Sequence, residues 1–328
     1  MAGRLPSELK LLTALKSLIL PRNKLSNTIP AALAEIPTLT RLLLSRNSFT
    51  GVIPNVLFLK LSLLGTLYVS SNNLVGSIPT EIGLATSLID FRVNSNNLVG
   101  TVPTEIGALT SLRTLQDIVV YCCDWPTLQI VSLSLTHTHI CAFLLFIIPT
   151  LTIPYYTITE RIEMDTNQLT GPLSTELLSN PHVRWVHLQD NAFTGPIPTT
   201  IGQMSSINEL ILTNNPLDTT IPSTMYTLTS LTHLDMSYTR LQGTLSEDVS
   251  NWNASMELLL WNNNNLTGPV PMGLGALTQT RELVLHSNSF LTGTIAATVC
   301  ANKGRGFFSL QNLTAPVSVS CACCDLML

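Results

Sequence analysis

The chain has 328 residues, 45% of them hydrophobic and only 11% charged, with a formal net charge of −4 at pH 7. This length allows a large buried core. The charge content is well below the ~25% of an average soluble domain, and the lack of a basic surplus speaks against a nucleic-acid partner. Leu, Asn, Thr, Ser and recurrent Ile-Pro steps dominate, a composition that points to internal repeats.

In chain order, an Asn closes the pattern L-x-x-L-x-L-x-x-N-x-L at Asn23, Asn47, Asn72 and Asn96, then at Asn167, Asn191 and Asn215, and last at Asn264 and Asn288. Thr239 occupies the one vacancy. The intervals are 24, 25 and 24 residues, then 71, then 24, 24, 24, 25 and 24. Apolar trios precede each Asn, as in Leu15, Leu18 and Leu20 or Leu64, Leu67 and Val69. Their period-2 pair predicts a short strand with its apolar face inward. After each Asn comes a turn signal, as in NNLVGSIPTEIG (72–83) or NAFTGPIPTTIG (191–202); Gly admits positive φ and Pro fixes φ without donating, so the chain folds back there. No single unit can bury its own apolar face, so the units must stack. A buried Asn offers both donor and acceptor to the turn after the strand. Thr239 supplies only part of that, which predicts a local weak point.

These residues resemble the plant-type leucine-rich repeat, L-x-x-L-x-L-x-x-N-x-L-x-G-x-I-P-x-x-[IL]-G-x-L, of receptor-like-kinase ectodomains, polygalacturonase-inhibiting proteins and secreted microalgal proteins. The match runs through most of 5–299. Leu173-Ser174 and Leu245-Ser246 depart from Ile-Pro, and one extra residue follows Asn288 before Gly293. The resemblance implies an α/β-type repeat solenoid: a right-handed superhelix with a parallel sheet on its concave side and irregular or 3-10 turns on its convex side, used for protein or glycan recognition.

The 71-residue interval holds the anomaly. Deleting 117–163 joins Leu112-Arg-Thr-Leu115-Gln116 to Met164-Asp-Thr-Asn167 and restores a repeat, although Thr159, Ile162 and Met164 could also complete that strand. The segment contains no Asn and no Gly, whereas the rest of the chain carries all 17 glycines. It is read as translated non-coding sequence such as a retained intron. A membrane span across 133–153, apolar and near the ~20 residues a bilayer needs, and a functional surface loop are the alternatives. The predicted organisation is a solenoid at 1–116, this insert at 117–163, a solenoid at 164–299 and a Cys-containing cap at 300–328.

Gly3-Arg4-Leu5-Pro6 already matches half a repeat, so the start is expected to lie mid-coil, with a signal peptide missing from the sequence as written. Cys300, Cys321, Cys323 and Cys324 are expected to form disulfides that tie the end of the coil, with pairing open; zinc is the alternative for such a cluster. Asn253, Asn265 and Asn312 stand in glycosylation triplets. Together these favour an extracellular or cell-surface location.

No G-x-S-x-G, H-E-x-x-H or Walker loop occurs, and His137-Thr-His139 lacks a third ligand; neither catalysis nor a metal or other cofactor is expected. The strand positions that point away from the core carry Arg41, Tyr68, Asp90 and Arg92, then Asp165, Trp185, His187, Asp190, Glu209, His233, Asp235, Tyr238, Glu282 and His286. Aromatic and charged anchors dominate interface energies. Trp185, His187, Asp190, Glu209, His233, Asp235 and Tyr238, with Arg92 and Tyr68, are the expected ligand contacts. The reading is a non-catalytic, receptor-like scaffold binding protein or glycan. A surface-active, ice-binding-like protein using NNLVGS and NNLVGT arrays, and a fragment of a membrane receptor, are the alternatives; membrane contact would require a missing anchor or the 133–153 segment.

Overall fold

The computed structural model describes residues 2–109, 161–252, 256–301, 312–316, 318–324 and 326–327. Residues 1–114 together with 159–328 make one compact unit and 115–158 another; the strands described here belong to the first.

Its organising element is a parallel sheet of twelve short strands in chain order: β1 (Ser17–Ile19), β2 (Arg41–Leu43), β3 (Thr66–Tyr68), β4 (Asp90–Arg92), β5 (Arg161–Glu163), β6 (Trp185–His187), β7 (Glu209–Ile211), β8 (His233–Asp235), β9 (Leu258–Leu260), β10 (Glu282–Val284), β11 (Asn312–Ala315) and β12 (Leu326–Met327). Because the repeats differ in length by at most one residue away from the long interval, the register places equivalent residues side by side, so Trp185 pairs Glu209 and Glu209 pairs His233. From β2 to β10 the middle residue of each strand faces the core, where Leu42, Leu67, Val186, Leu210, Leu234 and Leu259 are all fully buried. This is the solenoid that the repeat resemblance implies, with 3-10 turns such as Thr80–Leu84 and Thr199–Gln203 on the return path. Where Ser174 stands in place of Pro, its Oγ accepts the Leu177 N–H at 3.1 Å and opens a shorter turn, Leu177–Ser179.

The ladder explains why Asn recurs. Asn191 Nδ2 donates to the Leu188 carbonyl of its own repeat and to the Met164 carbonyl of the preceding one, both at 3.0 Å, while its Oδ1 accepts the Leu169 N–H at 3.0 Å. Each amide thus sews two coils together and satisfies backbone groups that burial would otherwise leave unpaired. The residue before each ladder position takes a left-handed conformation, including Arg46 at φ 56°, Asp190 at 55° and, before Thr239, Tyr238 at 55°.

Across the long interval the ladder is unbroken: Asn167 Nδ2 reaches the Val93 carbonyl at 3.2 Å and its Oδ1 accepts the Leu98 N–H at 3.1 Å. Of the two strands that the sequence offers before Asn167, the coil uses β5, with Ile162 and Met164 buried. Residues 161–163, expected within the insert, therefore stand in the sheet, because Ile162 and Met164 place apolar side chains at the two core positions of that turn. Leu112–Gln116 and the insert up to 160, including 133–153 and His137 and His139, lie outside the described residues. Among the described residues, no helix is long and apolar enough to cross a membrane.

A second run of strands flanks the first. Seven strands from Ala2–Gly3 to Ala192–Phe193 form one sheet, and Gln242–Thr244, Asn265–Pro269 and Phe290–Thr292 form another. Between them, at 216–220, no strand forms. Two features coincide at this gap. Pro216 has no N–H to donate, and Thr239, lacking an amide oxygen, leaves the Leu217 N–H to bond the Asn215 carbonyl at 2.8 Å. The weak point expected from Thr239 is an interruption of the flanking sheet. Just beyond it, Tyr226, Trp252 and Trp261 fill the core, with ring centroids 5.1 and 6.2 Å apart in sequence.

At the C-terminal end Cys300 pairs with Cys323 and Cys321 with Cys324, with Cα separations of 5.6 and 5.7 Å. All four pack against the end of the core. Asn265 is exposed, Asn253 lies outside the described residues, and Asn312 opens β11.

Candidate functional site

The outward face of the long sheet carries the first and third residues of each strand, followed by the residue two before the ladder position. On β4 to β8 that arrangement brings together Asp90 and Arg92, Glu163 and Asp165, Trp185 and His187, Glu209, then His233 and Asp235.

On β3 and β4 the side chains satisfy one another. The Arg92 guanidinium donates to both Asp90 oxygens at 3.1 and 3.0 Å and lies 4.4 Å above the Tyr68 ring centroid, while the Tyr68 hydroxyl donates to Asp90. Burial pushes the Asp90 carboxyl upward, opposed by the Arg92 hydrogen bonds and charge. Asp90 is only 1% exposed, so this trio is a built-in platform whose cation is already paired. Arg92 Nε also approaches Glu163 at 3.8 Å.

On β6 to β8 the groups are half-exposed. His187 Nε2 lies 3.1 Å from Glu209 Oε2, and that contact, with smaller contributions from His233 and Trp185, holds the Glu209 carboxyl below its usual range against the effect of burial. His233 Nδ1 shares a hydrogen bond with Thr232 Oγ1 at 2.9 Å, and Asp235 accepts the Ser237 N–H at 2.9 Å. Trp185, His187, Glu209, His233 and Asp235 share one face of three adjacent strands, as the register requires.

Asp190 and Tyr238 stand elsewhere: each occupies the left-handed residue just before its ladder position and so lies at the turn beyond the strand. Asp190 accepts Asn214 Nδ2 at 2.7 Å, and Tyr238 is 55% exposed. Sequence periodicity alone counted them with the strand face because it carries no backbone sign. Glu163 escaped notice because it fell within the expected insert. Asn94 and Gln189, flanking Asp165 in the row before the turn, carry no charge or aromatic ring that would single them out in the sequence. Among the described residues no group of His, Cys, Asp and Glu is arranged to hold a metal ion.

Family models described as leucine rich repeat match residues 38–59 and 181–241. No curated protein sequence matches the chain significantly. Among solved structures, the plant peptide hormone receptor RGFR1, in complex with RGF2, is similar with a TM-score of 0.77 at 25% identity over 98% of this chain and 42% of that one. PEPR1, in a structure with AtPEP1, has a TM-score of 0.70 at 26% identity over 96% of this chain and 41% of that one. A plant ice-binding protein, at 20% identity and a TM-score of 0.60 over 82% of this chain and 71% of that one, shares the fold. The chain spans less than half the length of RGFR1 and of PEPR1 in those structures.

Proposed function

We propose that this chain, a leucine-rich-repeat protein of the plant type, is a non-catalytic, receptor-like scaffold that works outside the cell and binds a polypeptide along the outward face of its long sheet. One observation carries the reading: Trp185, His187, Glu209, His233 and Asp235 stand half-exposed in fixed register on three neighbouring strands. A face with its backbone already hydrogen-bonded is preorganised, which limits the ordering cost of association. Trp supplies apolar area and the titratable groups supply direction. The likeness to RGFR1, a plant peptide hormone receptor in complex with RGF2, supports a polypeptide ligand.

The test is selection of phage-displayed random dodecapeptides on the purified full chain, with a glycan array in parallel. Selected peptides are expected to lose roughly tenfold or more in affinity to Trp185→Ala combined with His233→Ala, a loss typical of interface anchors. They should tolerate Thr199→Ala on the return path. Binding indifferent to the sheet face, or retention of glycans alone, would overturn the proposal.

A further inference from the structure

The outward face of β4 to β8 carries five carboxylates, Asp90, Glu163, Asp165, Glu209 and Asp235, and their partners differ. Asp90 is bound by Arg92, Glu163 lies 3.8 Å from Arg92, Glu209 meets His187, and Asp235 accepts a backbone N–H. Asp165 has the Thr166 hydroxyl at 3.2 Å. Asn94 and Gln189 beside it are uncharged, and a backbone hydrogen bond and His187 on β6 act on it more weakly than burial and Glu163 do. Ser95 N bonds the Asp165 carbonyl and Thr166 N bonds the Gln189 carbonyl, both at 2.9 Å, so Asn94 and Gln189 flank Asp165 in the same row. Their side-chain oxygens, Asn94 Oδ1 and Gln189 Oε1, are both shut off from solvent and without a hydrogen-bond partner.

The outer end of β5 therefore carries the Glu163 and Asp165 carboxylates, two residues apart on one face of the strand, and the positions flanking Asp165 in its row carry two unpartnered amide oxygens. Unpaired buried acceptors are the exception in folded proteins, and here two of them border a carboxylate that burial, then the charge of Glu163, pushes upward. Both amides turn about broad terminal torsions, so their oxygens can swing to an arriving donor. Among the described residues no group of three or more His, Cys, Asp and Glu is arranged to hold a metal ion. A guanidinium is a good match, because it brings five N–H donors in a planar fork and keeps its charge at any physiological pH.

We propose that the ligand polypeptide seats an arginine side chain on this patch, its guanidinium bonded to Asp165 and capped by the Asn94 and Gln189 oxygens, with Glu163 adding charge. This rests on the polypeptide-binding reading above and specifies its chemistry. The patch sits one strand away from Trp185 and His187, so an extended segment crossing the strands can place an apolar or aromatic residue at Trp185 and a basic one at Asp165.

The experiment is a coupling cycle on the selected dodecapeptides. Each arginine of a bound peptide is replaced by citrulline, which has nearly the same shape without the charge, and affinities are measured for the wild-type chain and for Asp165→Asn, a near-isosteric change. At one arginine, citrulline is expected to weaken binding to wild type roughly tenfold and to Asp165→Asn by less than about threefold, the difference being the coupling of that pair. Asn94→Asp adds a carboxylate beside the first and should tighten the arginine peptide, a gain that a misfolded variant could not give. Peptides that depend on Trp185 and His233 but show no coupling at any arginine overturn this inference and leave the scaffold reading intact. Failure of any peptide to depend on the sheet face overturns both.

Discussion

The Asn ladder makes a stability claim that two substitutions can separate. Asn215 is 1% exposed; its Nδ2 donates to Leu188 and Leu212 carbonyls at 3.0 and 2.9 Å, and its Oδ1 accepts the Phe193 N–H at 3.1 Å. Asn215→Ala removes three good hydrogen bonds and leaves a buried N–H unpaired. At about 1 kcal/mol per bond, with an added penalty for the orphaned donor, the loss is about 3–4 kcal/mol. Thr239 is as deeply buried, yet its hydroxyl makes one short bond, to the Met236 carbonyl at 2.7 Å, and a longer one to Asn264 Oδ1 at 3.2 Å. Its backbone N–H to Asn264 Oδ1 survives truncation, so Thr239→Ala should cost about 1–1.5 kcal/mol. Guanidinium unfolding followed by circular dichroism, compared at a constant m value, reads both. Losses equal within about 0.5 kcal/mol would mean that the amide does not sew the coils together and that the Asn recurs for another reason.

Cys300→Ser opens a 23-residue separation and should lower stability by about 3 kcal/mol, against about 1.5 kcal/mol for Cys321→Ser, whose bridge spans three residues, read as melting temperatures with and without reductant. Gly171 holds φ +81°, and a Cβ there would meet Thr101 Cγ2 at 2.7 Å, whereas at Gly195, also +81°, the nearest atom is 4.0 Å away; Gly171→Ala should therefore melt lower than Gly195→Ala, which carries only the backbone strain of about 1–2 kcal/mol. Asp165 has a carboxyl raised by burial and by Glu163, so its ionised form is disfavoured in the folded chain. Asp165→Asn should be more stable at neutral pH by about 0.5 kcal/mol after discounting for solvent screening, and that advantage should vanish as pH falls through the raised pKa and the native side chain takes up its proton. Glu209 titrates in the opposite sense: its pKa is depressed chiefly by His187, so it contributes stability above the ordinary Glu pKa that is lost on acidification. His187→Ala should flatten that acid limb in a pH series of unfolding midpoints.

Much of the coil was legible in the sequence because its physics is local and repeated. The spacing of Asn23, Asn47 and Asn72 and the period-2 leucines specify strand, turn and inward face without reference to distant residues, and the register of Trp185, Glu209 and His233 follows from equal repeat lengths. The four terminal cysteines were evident as a group. Their pairing was not, since it depends on which Cβ atoms the end of the coil brings close. Thr239 announced a fault by its identity, but that the fault interrupts the flanking sheet required seeing Leu217 turn to its own repeat beside Pro216. The choice of Arg161–Glu163 as the strand before Asn167 was likewise tertiary: two segments carry suitable residues, and only stacking on β4 and β6 selects one. The same holds for the outward face. Residue types at strand positions can be listed from the sequence, yet Asp90 disappears beneath Tyr68 and Arg92, Asp190 and Tyr238 move to the turn, and Asn94 and Gln189 gain meaning only beside Asp165. Composition and periodicity determine which side a residue faces; charge pairing and burial among neighbours on adjacent strands decide what it has left to offer a ligand.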